Sequence, residues 1–136
     1  MITDPVADFL TRIRNASASG QEQTLSPYST LRHRIAEILK AEGYIKDVTV
    51  VETENQHKKL AVTLAYQESN TYQQSPRVRR IRRVSRPGQR VYVNRQNIPR
   101  PLRGLGTVIL STSGGVLSGQ EARKKGLGGE LICEIW

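Results

Sequence analysis

A chain of 136 residues is enough for one domain of ordinary size or two small ones that share an interface, each with a modest core, which argues against deep enzyme-style burial. The formal charge is +9, yet Met1–Glu68 holds eight Lys/Arg against nine Asp/Glu while Ser69–Trp136 holds thirteen against three, a net −1 followed by a net +10. A field of that sign suits a polyanion, nucleic acid above all; its rival, an anionic membrane surface, is disfavoured because the sequence has no run of about 18 apolar residues and no signal-peptide core.

In chain order, Asp4 and Pro5 form a helix start, N-cap followed by proline at the first helical position. Val6, Phe9, Leu10 and Ile13 recur at helical spacing behind them and should face a core, leaving Asp8 and Arg12 as a solvated i,i+4 pair. A short strand is expected near Thr24–Tyr28. A second helix is predicted from the Ser29 cap to Gly43, with Leu31, Ile35, Ile38 and Leu39 as its apolar stripe. Two β-rich runs around the polar Glu54–Lys58 turn predict a hairpin. The first half is thus expected to be helices packed on a short sheet.

"QESNTYQQSP", Gln67–Pro76, is polar and ends in proline, and is the best candidate linker. The expected organisation is an N-terminal α+β domain over 1–68, a linker over 69–76 and a C-terminal domain over 77–136, mainly antiparallel β with a short helix. The fold class is α+β. "SPRVRRIRRVSRPGQR", Ser75–Arg90, contains seven arginines and no carboxylate. Its period of three for Val78, Ile81 and Val84 fits neither strand nor helix, but a type II turn at Pro87-Gly88 suggests strands on both sides. "TVILST" and "ELICEIW" read as strands, "SGG" as a turn, and "SGQEARKKG" as a short helix capped by Ser118 and ended by Gly126. Cys133, the one cysteine, falls in an alternating strand and is expected to be buried.

The inventory for catalysis is thin. His33 and His57 lack partners at metal-ligand spacing, and no carboxylate lies between Glu68 and Glu121 to hold magnesium, so no enzyme, metal or cofactor is expected. The glycines of "GLGT" and "GLGGE" lack dinucleotide-loop spacing and read as turns or close-approach devices. By contrast, Ser69–Gln120 carries ten arginines and no lysine, a bias toward forked phosphate contacts, and "STSGG", Ser111–Gly115, adds small hydroxyls suited to 2′-hydroxyl contacts. Electrostatic anchoring is expected of Arg77–Arg83, with Arg79, Arg80, Arg82, Arg83 and Arg86 as candidate RNA contacts.

Together, "DPVADFLTRIRNA", "RVSRPGQRVYV", "GLGTVILSTSGGV" and "EARKKGLGGELICEIW" closely resemble the bacterial or organellar small-subunit ribosomal protein S8 family, from the first helix to the last residue and in the family's order. The resemblance implies a two-domain α+β protein within the ribosome, in the bacterial cytoplasm or an organelle interior. It implies direct, early binding to the central domain of small-subunit ribosomal RNA, neighbouring small-subunit proteins as partners, and in many bacteria repression of the protein's own operon through an RNA-like messenger site. No membrane and no small-molecule substrate is implied. Carried over by position, the RNA contacts fall on Tyr92, Ser111, Thr112, Ser113, Gly128, Gly129 and Glu130, with Asp4, Arg14 and Asn15 at the first helix. Many relatives carry lysine where this chain has Gly114, and lysine in the first turn of the second helix where it has Thr30. A free-standing translational repressor and an RNA-processing enzyme are the competing classes. Limited proteolysis of the RNA-free protein should cut first between Gln67 and Pro76; first cleavage within Thr107–Ser118 would remove that boundary.

Overall fold

The computed structural model describes residues 4–67 and 75–136. Residues 69–74 of the expected linker lie outside that set, and Ser75 and Pro76 lie within it. The chain divides into two units, Asp8–Arg79 and the combination of Met1–Ala7 with Arg80–Trp136.

In the first unit, helix α1 (Pro5–Ala18) continues from its N-terminal turn and is followed by β1 (Gln23–Pro27), α2 (Thr30–Ala41), β2 (Ile45–Glu52) and β3 (Lys58–Leu64). The three strands form an antiparallel sheet with β3 in the centre. β3 is central because its run is apolar on both faces: Leu60, Ala61, Val62 and Leu64 are all buried. The expected hairpin joins β2 to β3, closed where the Thr53 and Gln56 N–H groups donate to the His57 and Thr53 carbonyls. Phe9, Leu10 and Ile13 are buried as helical spacing requires. Ser29 caps α2 by accepting from the Arg32 N–H at 3.1 Å. The stripe of α2 departs from expectation at one end: Leu31 is exposed, and Ile35, Ala36, Ile38 and Leu39 form the buried face. Leu31 lies in the first turn, one turn before the buried part of the stripe begins. A short ladder pairs β4 (Tyr66–Gln67) with β5 (Ser75–Pro76).

The C-terminal unit is built on β10 (Gly129–Ile135), which has neighbours on both edges. On one side lies β8 (Thr107–Thr112), followed outward by β9 (Gly115–Ser118). On the other, β6 (Ile81–Arg83) pairs with Cys133–Ile135 and β7 (Tyr92–Val93) with Gly129–Glu130. The Pro87-Gly88 turn exists, with Gly88 at φ 86° and a single bridge between Arg86 and Gln89. Its flanking strands, however, do not pair with each other. They lie end to end along β10, because the Val84 and Ser85 N–H groups donate to Ile132 and Leu131, and the Leu131 N–H donates to Val91.

The register between β8 and β10 shifts at a bulge between Leu131 and Cys133. The shift lets Leu131, Ile132 and Cys133 all be buried in succession. Burial pushes the Cys133 thiol up to about 12, so it is an inert packing group. Strand β9 begins at Gly115 directly after Gly114, and the pair reads as a turn rather than a strand in the sequence. Helix α3 (Gly119–Lys125) starts at Ser118, whose hydroxyl accepts from the Glu121 N–H and donates to its carboxylate, and ends at Gly126. Ala122 of α3 packs with Ile98, Val108, Leu110, Leu117 and Leu131 in one buried cluster, with Val91 and Val93 against it.

Gly128 and Gly129 hold β10 at the distance its neighbours require. A Cβ on Gly129 would collide with the Ser111 carbonyl oxygen, and one on Gly128 with that of Val93. Both obstacles are backbone and cannot rotate away. Gly129→Ala should therefore destabilise the protein by about 1–3 kcal/mol or more, through overpacking, whereas Ser113→Ala at an exposed turn should stay within about 0.5 kcal/mol. Thermal melts of the two variants check this.

Candidate nucleic-acid interface

Because strand residues directly opposite each other point to the same face, register alone assembles the site. Glu130 is opposite Ser111 of β8 on one edge and Tyr92 of β7 on the other. Tyr92, Glu130 and Ser111 thus form a row across three strands. Val91 and Val93 turn to the core while Tyr92, between them, is 71% exposed. The strand's alternation forces the ring outward.

Glu130 is a carboxylate with assigned partners. Its Oε2 accepts from the Ser85 hydroxyl at 2.7 Å and from Arg90 Nη1 at 3.2 Å, and the Ser85 oxygen accepts from the Val91 N–H at 3.2 Å. Ser85 is fully buried. The carboxylate is thereby fixed in a strongly basic region, presented as an oriented acceptor rather than a free repelling charge.

The β8–β9 turn divides its hydroxyls between two tasks. Thr112 Oγ1 donates to the Gly115 carbonyl at 2.8 Å and accepts from the Gly114 N–H at 3.1 Å, so this hydroxyl shapes the turn. Ser113 is exposed, and its hydroxyl bonds to none of the described residues. A Cβ on Gly114 would meet Leu127 Cδ1 at 2.9 Å, so a lysine there requires Leu127 to shift. Gly128 and Gly129 provide backbone close to the row and carry no side-chain chemistry.

The arginines also divide. Arg77, Arg79, Arg80, Arg82, Arg86 and Arg90 are exposed. Arg80 lies over the Trp136 ring at 5.9 Å, and Arg82 reaches Glu134 only at 3.9 Å. Arg83 is engaged within the fold. Its side chain is 12% exposed, Nε and Nη2 donate to the Asp4 carboxylate at 3.1 and 3.4 Å, and Nη1 donates to the Ile132 carbonyl at 2.7 Å. Asp4 also accepts from the Ala7 N–H, capping α1. Asp4 and Arg83, both sequence candidates for RNA contact, hold each other. Arg14 and Asn15 are exposed on α1 in the other unit.

Two participants escaped the sequence reading. Ser85 and Arg90 hold Glu130, and no spacing marks a buried serine for that role. Arg123 carries a buried Nη1 without a hydrogen-bond partner among the described residues, and burial, then the nearby Arg100, lowers its pKa. Among the described residues no cluster of His, Cys, Asp or Glu could hold a metal ion, and no helix is long and apolar enough to cross a membrane.

Fold and site together define a basic α+β protein that presents a fixed polar row and exposed arginines. The ribosomal protein S8 family model matches residues 4–136, and the chain belongs to that family. Relatives named small ribosomal subunit protein uS8 are 49% identical in Sorangium cellulosum, over the whole of both chains, 49% in Opitutus terrae, over 99% of this chain and 100% of the relative, and 47% in Nitratidesulfovibrio vulgaris, over the whole of both.

The two kinds of arginine should separate in stability. Arg83→Gln strands the Asp4 carboxylate and the Ile132 carbonyl and should cost about 1.5–3 kcal/mol, the value of a charge-assisted hydrogen bond. Arg82→Gln removes a loose, exposed pair and should stay within about 0.5 kcal/mol. Denaturant titration of both variants is the measurement.

Proposed function

We propose that this chain is a structural component of the small ribosomal subunit that binds the central domain of its ribosomal RNA directly and helps assemble the platform. The observation that carries the reading is the Tyr92–Glu130–Ser111 row, produced by strand register and backed by glycines that admit no side chain. Tyr92 offers a stacking face for a base. Glu130 accepts from a base amino group or a 2′-hydroxyl, and Ser111 and Ser113 add neutral hydrogen bonds that depend on RNA shape. Arg79, Arg80, Arg82 and Arg86, exposed on the surface, contact phosphates. Arg14 and Asn15 contribute contacts from α1. Asp4 and Arg83 serve as positioning residues, and Thr112 sets the turn. A messenger site of the same shape would fit the same row, which is the basis for proposing autoregulation of the chain's own operon. The site of action is the ribosome, and neighbouring small-subunit proteins are further partners.

Titration against a central-domain RNA fragment and an unrelated duplex tests this. Tyr92→Ala should weaken the specific complex roughly five- to a hundredfold, the value of one stacked base, while the duplex changes less than about twofold because the phosphate contacts that hold it carry no sequence information. Changing Arg77, Arg79, Arg80 and Arg82 together to glutamine should weaken both RNAs and flatten the salt dependence by about 0.7–0.9 log units per log unit of salt for each phosphate no longer neutralised. Equal loss on both RNAs from the row variant would refute shape recognition.

A further inference from the structure

The Pro87-Gly88 turn folds the chain back tightly, with the Arg86 and Gln89 N–H groups donating to each other's carbonyls at 3.0 and 2.9 Å. Ser85 and Arg90 stand on either side of it, and both reach the same atom, Glu130 Oε2. Their backbone is fixed against β10, since the Ser85 N–H donates to the Leu131 carbonyl at 3.1 Å and the Leu131 N–H to that of Val91 at 2.9 Å. The turn thus delivers two donors to one oxygen.

A serine hydroxyl has one proton to give. At Ser85 the oxygen already accepts from the Val91 N–H at 3.2 Å, the residue is fully buried, and Glu130 Oε2 at 2.7 Å is the acceptor it meets among the described residues. The direction of that proton is therefore forced. Arg90 Nη1, which can only donate, approaches the same oxygen at 3.2 Å. Oε2 is spent on these two donors, while Oε1 bonds to none of the described residues, on a side chain 22% exposed. The two oxygens of the carboxylate have different tasks.

We infer that Ser85 is a specificity-determining positioning residue: by holding Oε2 it leaves Oε1 as the acceptor that Glu130 shows to RNA, so the site takes an amino or hydroxyl hydrogen and rejects an acceptor in its place. Arg90 reinforces the choice, and the Pro87-Gly88 turn is the device that brings both residues to one atom. The inference rests on the proposed contact between Glu130 and RNA. Loss of charge alone would not produce its main consequence. In Glu130→Gln the two donors still require an oxygen at the Oε2 position, so the amide turns its NH2 toward RNA and sets a donor against a donor.

The test titrates a central-domain ribosomal RNA fragment against Ser85→Ala, Glu130→Ala, Glu130→Gln and the two double variants, with a melting curve of each. Glu130→Ala should weaken the complex about ten- to a hundredfold, as expected for loss of a charge-assisted hydrogen bond. Glu130→Gln should weaken it at least as much, although the amide matches the carboxylate in size. Ser85→Ala should melt lower in every background, because the Val91 N–H loses its acceptor, but its effect on RNA should depend on position 130. Beside Glu130 it should weaken the complex about threefold or more, and in the Glu130→Ala background it should change it less than about twofold. In the Glu130→Gln background it should tighten the complex about threefold or more, since the amide is then free to turn. An equal loss from Ser85→Ala in all three backgrounds overturns the positioning role, as does a Glu130→Gln loss that Ser85→Ala does not relieve. A Glu130→Gln protein that binds as the parent does also overturns it, and that result stands even where Ser85→Ala fails to fold. If Glu130→Ala leaves the affinity unchanged, it is the contact between Glu130 and RNA that falls.

Discussion

The C-terminal unit depends on one constraint, the double-sided pairing of β10 with no room for a side chain at its start. Gly129 sits opposite Thr112 on one edge and Val93 on the other, and the Ser111 carbonyl occupies the place of its missing Cβ. Close approach here sets the register for Glu130, the next residue, and through it aligns Tyr92 and Ser111. A one-residue slip would turn Glu130 into the cluster formed by Leu110 and Leu131 and turn a leucine outward. The polar row and the apolar core are thus two faces of the same register. The glycines act by excluding volume, which is how residues without functional groups fix the register of the polar row.

Carboxylates in so basic a region are used sparingly and structurally. The three in the second half are Glu121, Glu130 and Glu134. Glu121 closes the helix cap of α3, Glu130 is held by Ser85 and Arg90, and Glu134 faces Arg82 across the ladder. Asp4, contributed by the start of the chain, caps α1 and holds Arg83. Each of these acids has a partner within its own unit. The field experienced by an approaching polyanion is consequently set by the exposed arginines, while the fixed acceptor at Glu130 contributes local direction rather than long-range repulsion.

Much of this was readable from the sequence where short-range physics decides. Caps at Asp4, Ser29 and Ser118, the helical spacing of Phe9, Leu10 and Ile13, and the hairpin of β2 and β3 all arise from contacts within a few residues. What escaped depends on distant partners. Arg83 pairs with Asp4 across 79 residues, and Ser85 reaches Glu130 across 45, so neither could be separated by local pattern from its neighbours in an arginine-rich run. Strand β9 is bounded by glycines and reads as loop. The left-handed residues Leu102 and Arg103 contradict their own intrinsic preference, which only the surrounding fold can impose. The family resemblance pointed to the positions of the row, but the division between Thr112, spent on its turn, and exposed Ser113 is visible only in three dimensions.

The choice of arginine throughout the basic stretch follows from the same division. At position 83 the side chain must satisfy a carboxylate and a carbonyl at once, and three nitrogens of one planar guanidinium do so. Lysine, with a single nitrogen, could not span both acceptors in that geometry. At Arg80 the same planarity permits contact with the Trp136 ring while the charge remains exposed. Where no protein partner is present, the fork remains available for phosphate. One residue type therefore serves as interior clamp and as exposed cation, and burial rather than sequence decides which each copy becomes.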